Sequence, residues 1–171
     1  MATRSPKAPP APGASPNRRV IEVLNDVLTA ELTAINQYFV HAEMNENWGY
    51  ARLNKVIRGH AIGEMKHAEK VIERVLFLGG IPNVQRLGKI NIGETVHEQL
   101  KVDMALEKDA IPRLAEGITI CNEVSDHGTR ALLEEILRDE EEHIDWLDAQ
   151  LTQVDQMGLP NYLAQQVRSD S

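Results

Sequence analysis

The sequence predicts an all-α protein: a bundle of four long helices, with a long crossover between the second and third and a short fifth helix near the C-terminus. Three observations carry this. Apolar residues recur at helical spacing along four separate stripes, through Leu24, Val27, Leu28, Ile35 and Tyr38, through Leu53, Val56 and Val71, through Leu100, Met104, Ile111 and Leu114, and through Leu133, Ile136, Leu137 and Leu147. Aromatic residues are scarce at 4% while the hydrophobic fraction is an ordinary 42%, a balance that suits helix-on-helix packing. Residues 81–95 (IPNVQRLGKINIGET) show no sustained helical period and divide the stripes into two pairs.

The elements follow in order. Residues 1–17 (MATRSPKAPPAPGASPN) are rich in Ala, Pro and Ser, cannot bury a core, and read as a flexible extension to a single domain over 18–171. They contain no apolar core of the kind a secretory signal needs. The first helix is expected from Asn17 or Arg18 to about Asn47, with the Trp48-Gly49 step as its break. The second runs to about Leu78, where Gly79-Gly80-Ile81-Pro82 ends it. The third spans about Thr95 to Val124 and contains Pro112, which removes one backbone hydrogen bond and is expected to bend it. Asp126 is the expected N-cap of the fourth, which reaches about Gln156 before Gly158-Leu159-Pro160 stops it; 161–168 then form the short fifth helix.

A net charge of −8 argues against nucleic acid as a main partner. Residues 1–19 carry four basic residues and no acid, so the rest of the chain has 14 basic against 26 acidic residues, a balance of −12. An acidic surface concentrates divalent cations, although it also serves solubility alone. The single cysteine, Cys121, excludes an intrachain disulfide, fits a reducing cytoplasmic setting, and falls in phase with the third stripe as a small core residue. No apolar run is long enough to cross a membrane.

Each stripe is interrupted near its middle by a glutamate: Glu31, Glu64, Glu107 and Glu140. Two of these carry a histidine three residues later, Glu64/His67 and Glu140/His143, a spacing that puts both side chains on one helix face. A carboxylate buried without a partner is very costly, and no Lys or Arg shares the stripes of Glu31 and Glu107. Four carboxylates aimed into one core call for cations between them, and carboxylates can bridge two cations about 4 Å apart. Two single Glu ligands with two Glu-x-x-His pairs is an established arrangement for di-iron helical bundles. A third pair, Glu94/His97, lies at the start of the third helix, where a carboxylate favours the positive helix end without any metal. His60 shares a stripe with Glu64 and reads as a core histidine rather than a neighbour of the metal site; Tyr38 fits equally a packed aromatic or a redox-active neighbour.

At these residues the sequence resembles the bacterioferritins. The segments that carry the likeness are Glu31 to Phe39 (ELTAINQYF), Glu64 to Glu69 (EMKHAE), Leu87 to Glu94 (LGKINIGE) and Arg138 to Leu147 (RDEEEHIDWL), and it extends over roughly 18–168. The resemblance implies a ferritin-like four-helix bundle that assembles from dimers into a shell of 24 subunits. That shell would be a cytoplasmic iron-storage ferroxidase, oxidising Fe(II) with O2 or H2O2 at a di-iron centre of Glu31, Glu64, His67, Glu107, Glu140 and His143. Glu64 and Glu140 would bridge, Glu31 with His67 would hold one iron, and Glu107 with His143 the other. Met65, about 100° around the helix from Glu64, would ligate a haem b shared by two subunits, next to the apolar Leu32, Ile35, Phe39 and Ile62. A small ferredoxin would supply electrons for iron release.

Two departures matter. Some members of that family place a His and an Asp on the inner surface of the second helix; the matching positions here are Gly59 and Gly63. The chain is therefore expected to lack that inner iron site and to pass iron through the di-iron centre itself, with His143 or His67 moving aside. Arg58 stands where an aromatic neighbour of the haem is common. The competing readings are a di-metal peroxidase or catalase of rubrerythrin or manganese-catalase type and a haem-binding structural subunit of a mixed shell. One cysteine cannot build the four-cysteine module usual in rubrerythrins, and the intact ligand set speaks against a purely structural subunit.

Overall fold

The computed structural model describes residues 17–168, so the expected extension over 1–17, Asn17 apart, lies outside the described residues. The elements are α1 (Arg18–Asn47), α2 (Ala51–Phe77), α3 (Val96–Glu123), α4 (His127–Met157) and α5 (Leu159–Ala164). They form a four-helix bundle with a short C-terminal helix, and no strand occurs among the described residues. Gly49 (φ 82°) and Gly79 (φ 81°) supply the left-handed backbone that ends α1 and α2. Thr95 caps α3, accepting a hydrogen bond from the Glu98 N–H at 3.2 Å, and Asp126 caps α4 through the Thr129 N–H at 2.9 Å. α3 runs unbroken through Pro112. α4 ends at Met157 with Gly158 (φ 78°) as its cap, as the Gly158-Leu159-Pro160 stop predicts, but Pro160 itself lies in the first turn of α5, where a proline's missing N–H is not needed, and α5 spans Leu159–Ala164 rather than 161–168.

The core is divided into two apolar halves. One gathers Val20, Leu24, Leu28, Val71, Val75, Leu114, Cys121, Leu133 and Ile136; the other gathers Tyr38, Leu53, Ile57, Leu100, Met104, Leu147 and Tyr162. On every long helix the mid-stripe glutamate falls in the gap between the halves, so the bundle has a polar waist. Gly117 lets α3 approach its neighbours closely: a Cβ there would meet Val23 Cγ1 at 2.7 Å and Leu133 Cδ1 at 2.8 Å.

The crossover is strapped to α1 by a ladder that recurs every fourth residue. Asn25 Oδ1 accepts from Asn83 N (2.7 Å), Thr29 Oγ1 from Arg86 Nε (2.9 Å), Thr33 Oγ1 from Gly88 N (2.8 Å), Gln37 Oε1 from Asn91 N (3.0 Å) and His41 Nε2 from Gly93 N (3.0 Å). Four helical residues rise about 6 Å, and the crossover advances two or three residues per rung to keep pace. Buried Asp103 of α3 secures the lower rungs, accepting from Gln37 Nε2 at 2.8 Å and from His41 Nδ1 at 2.9 Å. With Nε2 accepting from Gly93, His41 is held as the neutral tautomer that donates from Nδ1.

Candidate metal centre

The polar waist draws one carboxylate from each long helix: Glu31 from α1, Glu64 from α2, Glu107 from α3 and Glu140 from α4, all at most 2% exposed. His67 and His143 enter one turn beyond Glu64 and Glu140. Two groups result, Glu31 with Glu64, His67 and Glu140, and Glu107 with Glu64, Glu140 and His143; within each, the candidate ligand atoms lie within 4.8 Å of one another. The sharing is atom by atom. Glu64 turns Oε2 to His67 Nδ1 (3.3 Å) and Oε1 to His143 Nδ1 (3.2 Å). Glu140 likewise turns Oε1 to His67 (3.6 Å) and Oε2 to His143 (3.2 Å). Glu31 Oε2 stands 3.4 Å from His67 alone, and Glu107 Oε1 3.4 Å from His143 alone. The far nitrogen of His67 pairs with Asp139 Oδ2 at 2.8 Å, which fixes the ring with Nδ1 facing inward.

These contacts leave the set under-satisfied. Glu31 Oε2, Glu64 Oε1, Glu140 Oε2 and His143 Nδ1 are buried without a properly directed hydrogen bond. Buried orphan acceptors are expensive, and hard oxygen and imidazole donors grouped in this way suit divalent iron, manganese or zinc.

The protonation states follow from position. Burial pushes Glu31 and Glu107 well above the usual carboxylate range, against the adjacent imidazole that lowers each. Burial would raise Glu64 and Glu140 too, but each lies between the imidazoles of His143 and His67, and their net shift is downward. Burial would lower the imidazoles, yet three carboxylates each raise them, His143 to about 12. The directions favour imidazolium at His67 and His143, ionised Glu64 and Glu140, and a proton retained on Glu31 and Glu107 to higher pH than on a free carboxylate.

Tyr38 is fully buried and donates its hydroxyl to Glu107 Oε1. His60 packs its ring on His143, with centroids 4.2 Å apart, and edge-on to Trp146 at 5.1 Å, so it is a direct neighbour of the centre rather than a core residue apart from it. Burial, then the neighbouring His143, lowers it to about 4. A cavity of about 100 Å³ between α1 and α3 leads to the carboxylates; Ala30, Ala34 and Ala110 keep it open, and Lys89 and Asp109 stand at its exposed end.

The chain matches the family model described as a ferritin-like domain over residues 21–157. It is 48% identical over 146 residues to bacterioferritin BfrA of Mycobacterium tuberculosis, covering 85% of this chain and 92% of the relative. The chain belongs to the bacterioferritin family. The bacterioferritins of Streptomyces coelicolor (44% identity over 145 residues, 85% of this chain and 87% of the relative) and Rhodobacter capsulatus (44% over 140 residues, 82% and 87%) are also similar.

In this bacterioferritin, Glu94 is exposed just ahead of α3, and neither it nor His97 joins a cation-sized grouping among the described residues. Met65 is 54% exposed, with Phe39 and Ile62 also exposed beside it on the outer side of α1 and α2. Arg58 pairs with Glu43 and lies over the Phe39 ring, 5.7 Å from its centroid. The ladder and the His67–Asp139 pair escaped sequence reading. Polar residues every fourth position from Asn25 to His41 were the available signal for the ladder.

Proposed function

We propose that this bacterioferritin stores iron by oxidising it at the polar waist. Glu64 and Glu140 bridge two Fe(II) ions, Glu31 with His67 holds one, and Glu107 with His143 holds the other. The observation that carries the reading is the split of Glu64 and Glu140, each giving one oxygen to each histidine group. Fe(II), the substrate, enters by the cavity between α1 and α3. Two Fe(II) give one electron each to O2, which with two protons leaves as H2O2, or to H2O2, which leaves as two hydroxides. The chain's own part is to collect the ions, hold them side by side and accept their displaced protons' charge change in a dry core. Asp139 steadies His67, while Tyr38 holds Glu107.

The wider reading is a shell of 24 subunits built from dimers, with ferric mineral inside. Exposed Met65, amid exposed Phe39 and Ile62, fits an axial haem ligand at a two-fold contact, where haem b would carry electrons inward from a small ferredoxin to release iron.

The decisive test is Fe(II) oxidation by the His67→Ala/His143→Ala double variant. At two Fe(II) per subunit the initial rate is expected to fall at least 100-fold; a rate equal to the parent's refutes oxidation at this centre.

A further inference from the structure

The two histidines of the waist are held by different means. Asp139 anchors His67 through its far ring nitrogen, at 2.8 Å. No hydrogen bond among the described residues anchors His143: its approaches to Glu64, Glu107 and Glu140 all converge on Nδ1, the atom that faces the carboxylates. It is also the less enclosed of the two, with its side chain 14% exposed against 4% for His67. An imidazole tied only through its ligand atom can turn about its side-chain bonds, and a cation that binds it must first fix the ring.

Ring contacts stand in for the missing anchor. His60, one turn before Glu64 on α2, stacks on His143 at a centroid distance of 4.2 Å and an interplanar angle of 26°. Packing sets the position of His60 itself. Tyr38 meets it edge-on at 5.6 Å and Trp146 at 5.1 Å, while its buried Nδ1 makes no hydrogen bond. Tyr38 also meets His143 edge-on at 6.3 Å and donates its hydroxyl to Glu107 Oε1. Tyr38 of α1, His60 of α2 and Trp146 of α4 thus form a wall of rings behind one grouping, that of Glu107 and His143. No ring contact among the described residues reaches His67. Stacked and edge-to-face rings prefer a few mutual orientations, so the wall limits how His143 can turn.

We propose that His60 is a positioning residue: by stacking on His143 it keeps that imidazole's Nδ1 turned toward Glu107, and so raises the cation affinity of the Glu107/His143 position alone. It does by ring contact what Asp139 does by hydrogen bond for the Glu31/His67 position. The inference rests on the reading of the waist as a two-cation centre, and the experiment separates the two.

Metal-free protein is titrated anaerobically with Co(II), followed by its visible absorption, for the parent chain, His60→Leu and His60→Phe. Leucine fills the space without a ring; phenylalanine keeps a ring against His143 and removes both nitrogens. The parent is expected to bind two cations per subunit. In His60→Leu one of the two should bind about tenfold more weakly, about 1.4 kcal/mol. Anomalous diffraction at subsaturating Co(II) should place the lost occupancy at Glu107/His143, and His60→Phe should restore it. A leucine variant that binds both cations as the parent does, a loss that falls on Glu31/His67 or on both positions alike, or a phenylalanine variant that restores nothing overturns the role of His60 and leaves the centre intact. A parent that binds no cation overturns the reading of the centre and this role with it. Crystals of the Co(II)-loaded parent give a second readout should the leucine variant not fold: His143 bonded to the cation with its ring still on His60 is expected, and a ring turned off His60 overturns the proposal.

Discussion

Loading the centre with cations should drive out four protons per subunit. The count assumes imidazolium rings at His67 and His143 and protonated carboxyls at Glu31 and Glu107 in the metal-free waist, the states favoured because burial raises those carboxyls and three neighbouring carboxylates raise each ring. Metal ligation needs all four deprotonated. Two divalent cations therefore replace four protons, and the centre is neutral before and after, which is how a dry core tolerates the exchange. Each displaced proton changes the loading constant tenfold per pH unit, so the pair should bind about 10⁴-fold more tightly for each unit of rising pH, roughly 5 kcal/mol. The sign is set by the raised values: binding weakens as pH falls. The slope drops to two protons once pH rises past the Glu31 and Glu107 values, and those last two persist up to the His143 value of about 12. Calorimetric titration with Zn(II) near pH 6, in buffers of different ionisation enthalpy, yields the proton count directly. A count of two or fewer would show Glu31 and Glu107 already ionised without metal and refute the neutral-centre argument.

Two further outcomes are expected. Met65→Leu should abolish the Soret absorption of haem-reconstituted protein while the helical circular dichroism is retained; an unchanged spectrum would remove Met65 as the axial ligand. Gly117→Ala forces a methyl against Val23 and Leu133 at under 3 Å and should lower the stability of the metal-free chain by about 1–3 kcal/mol in denaturant unfolding, whereas a helix-propensity gain of about 1 kcal/mol would show that the crossing can spread.

The sequence makes the helices legible because periodicity and breakers are local signals. α1 starts and ends where the Arg18–Asn47 stripe does, and Gly79-Gly80 ends α2. Pro160 shows the limit: whether a proline ends one helix or opens the next depends on where the following turn packs, and α5 buries Tyr162, whose hydroxyl donates to Gln150 Oε1 at 2.9 Å. At the waist, the in-phase glutamates identify the residues that meet. The partition of Glu64 and Glu140 oxygens between two histidines needs coordinates, as does the stack of His60 on His143, because both depend on how α2 and α4 are rotated against each other. The crossover ladder joins residues more than 50 positions apart, a separation at which one sequence carries no pairing information.

Because each long helix donates a single carboxylate to the waist, neither hairpin alone carries a usable site: α1 with α2 lacks Glu107 and Glu140, and α3 with α4 lacks Glu31 and Glu64. The hairpins can form early from local contacts, but their docking is the non-local and slower step. On the proposed function, a half-made chain emerging from the ribosome would offer redox-active iron no complete seat, and the chemistry would switch on only when the last piece of the molecule has closed.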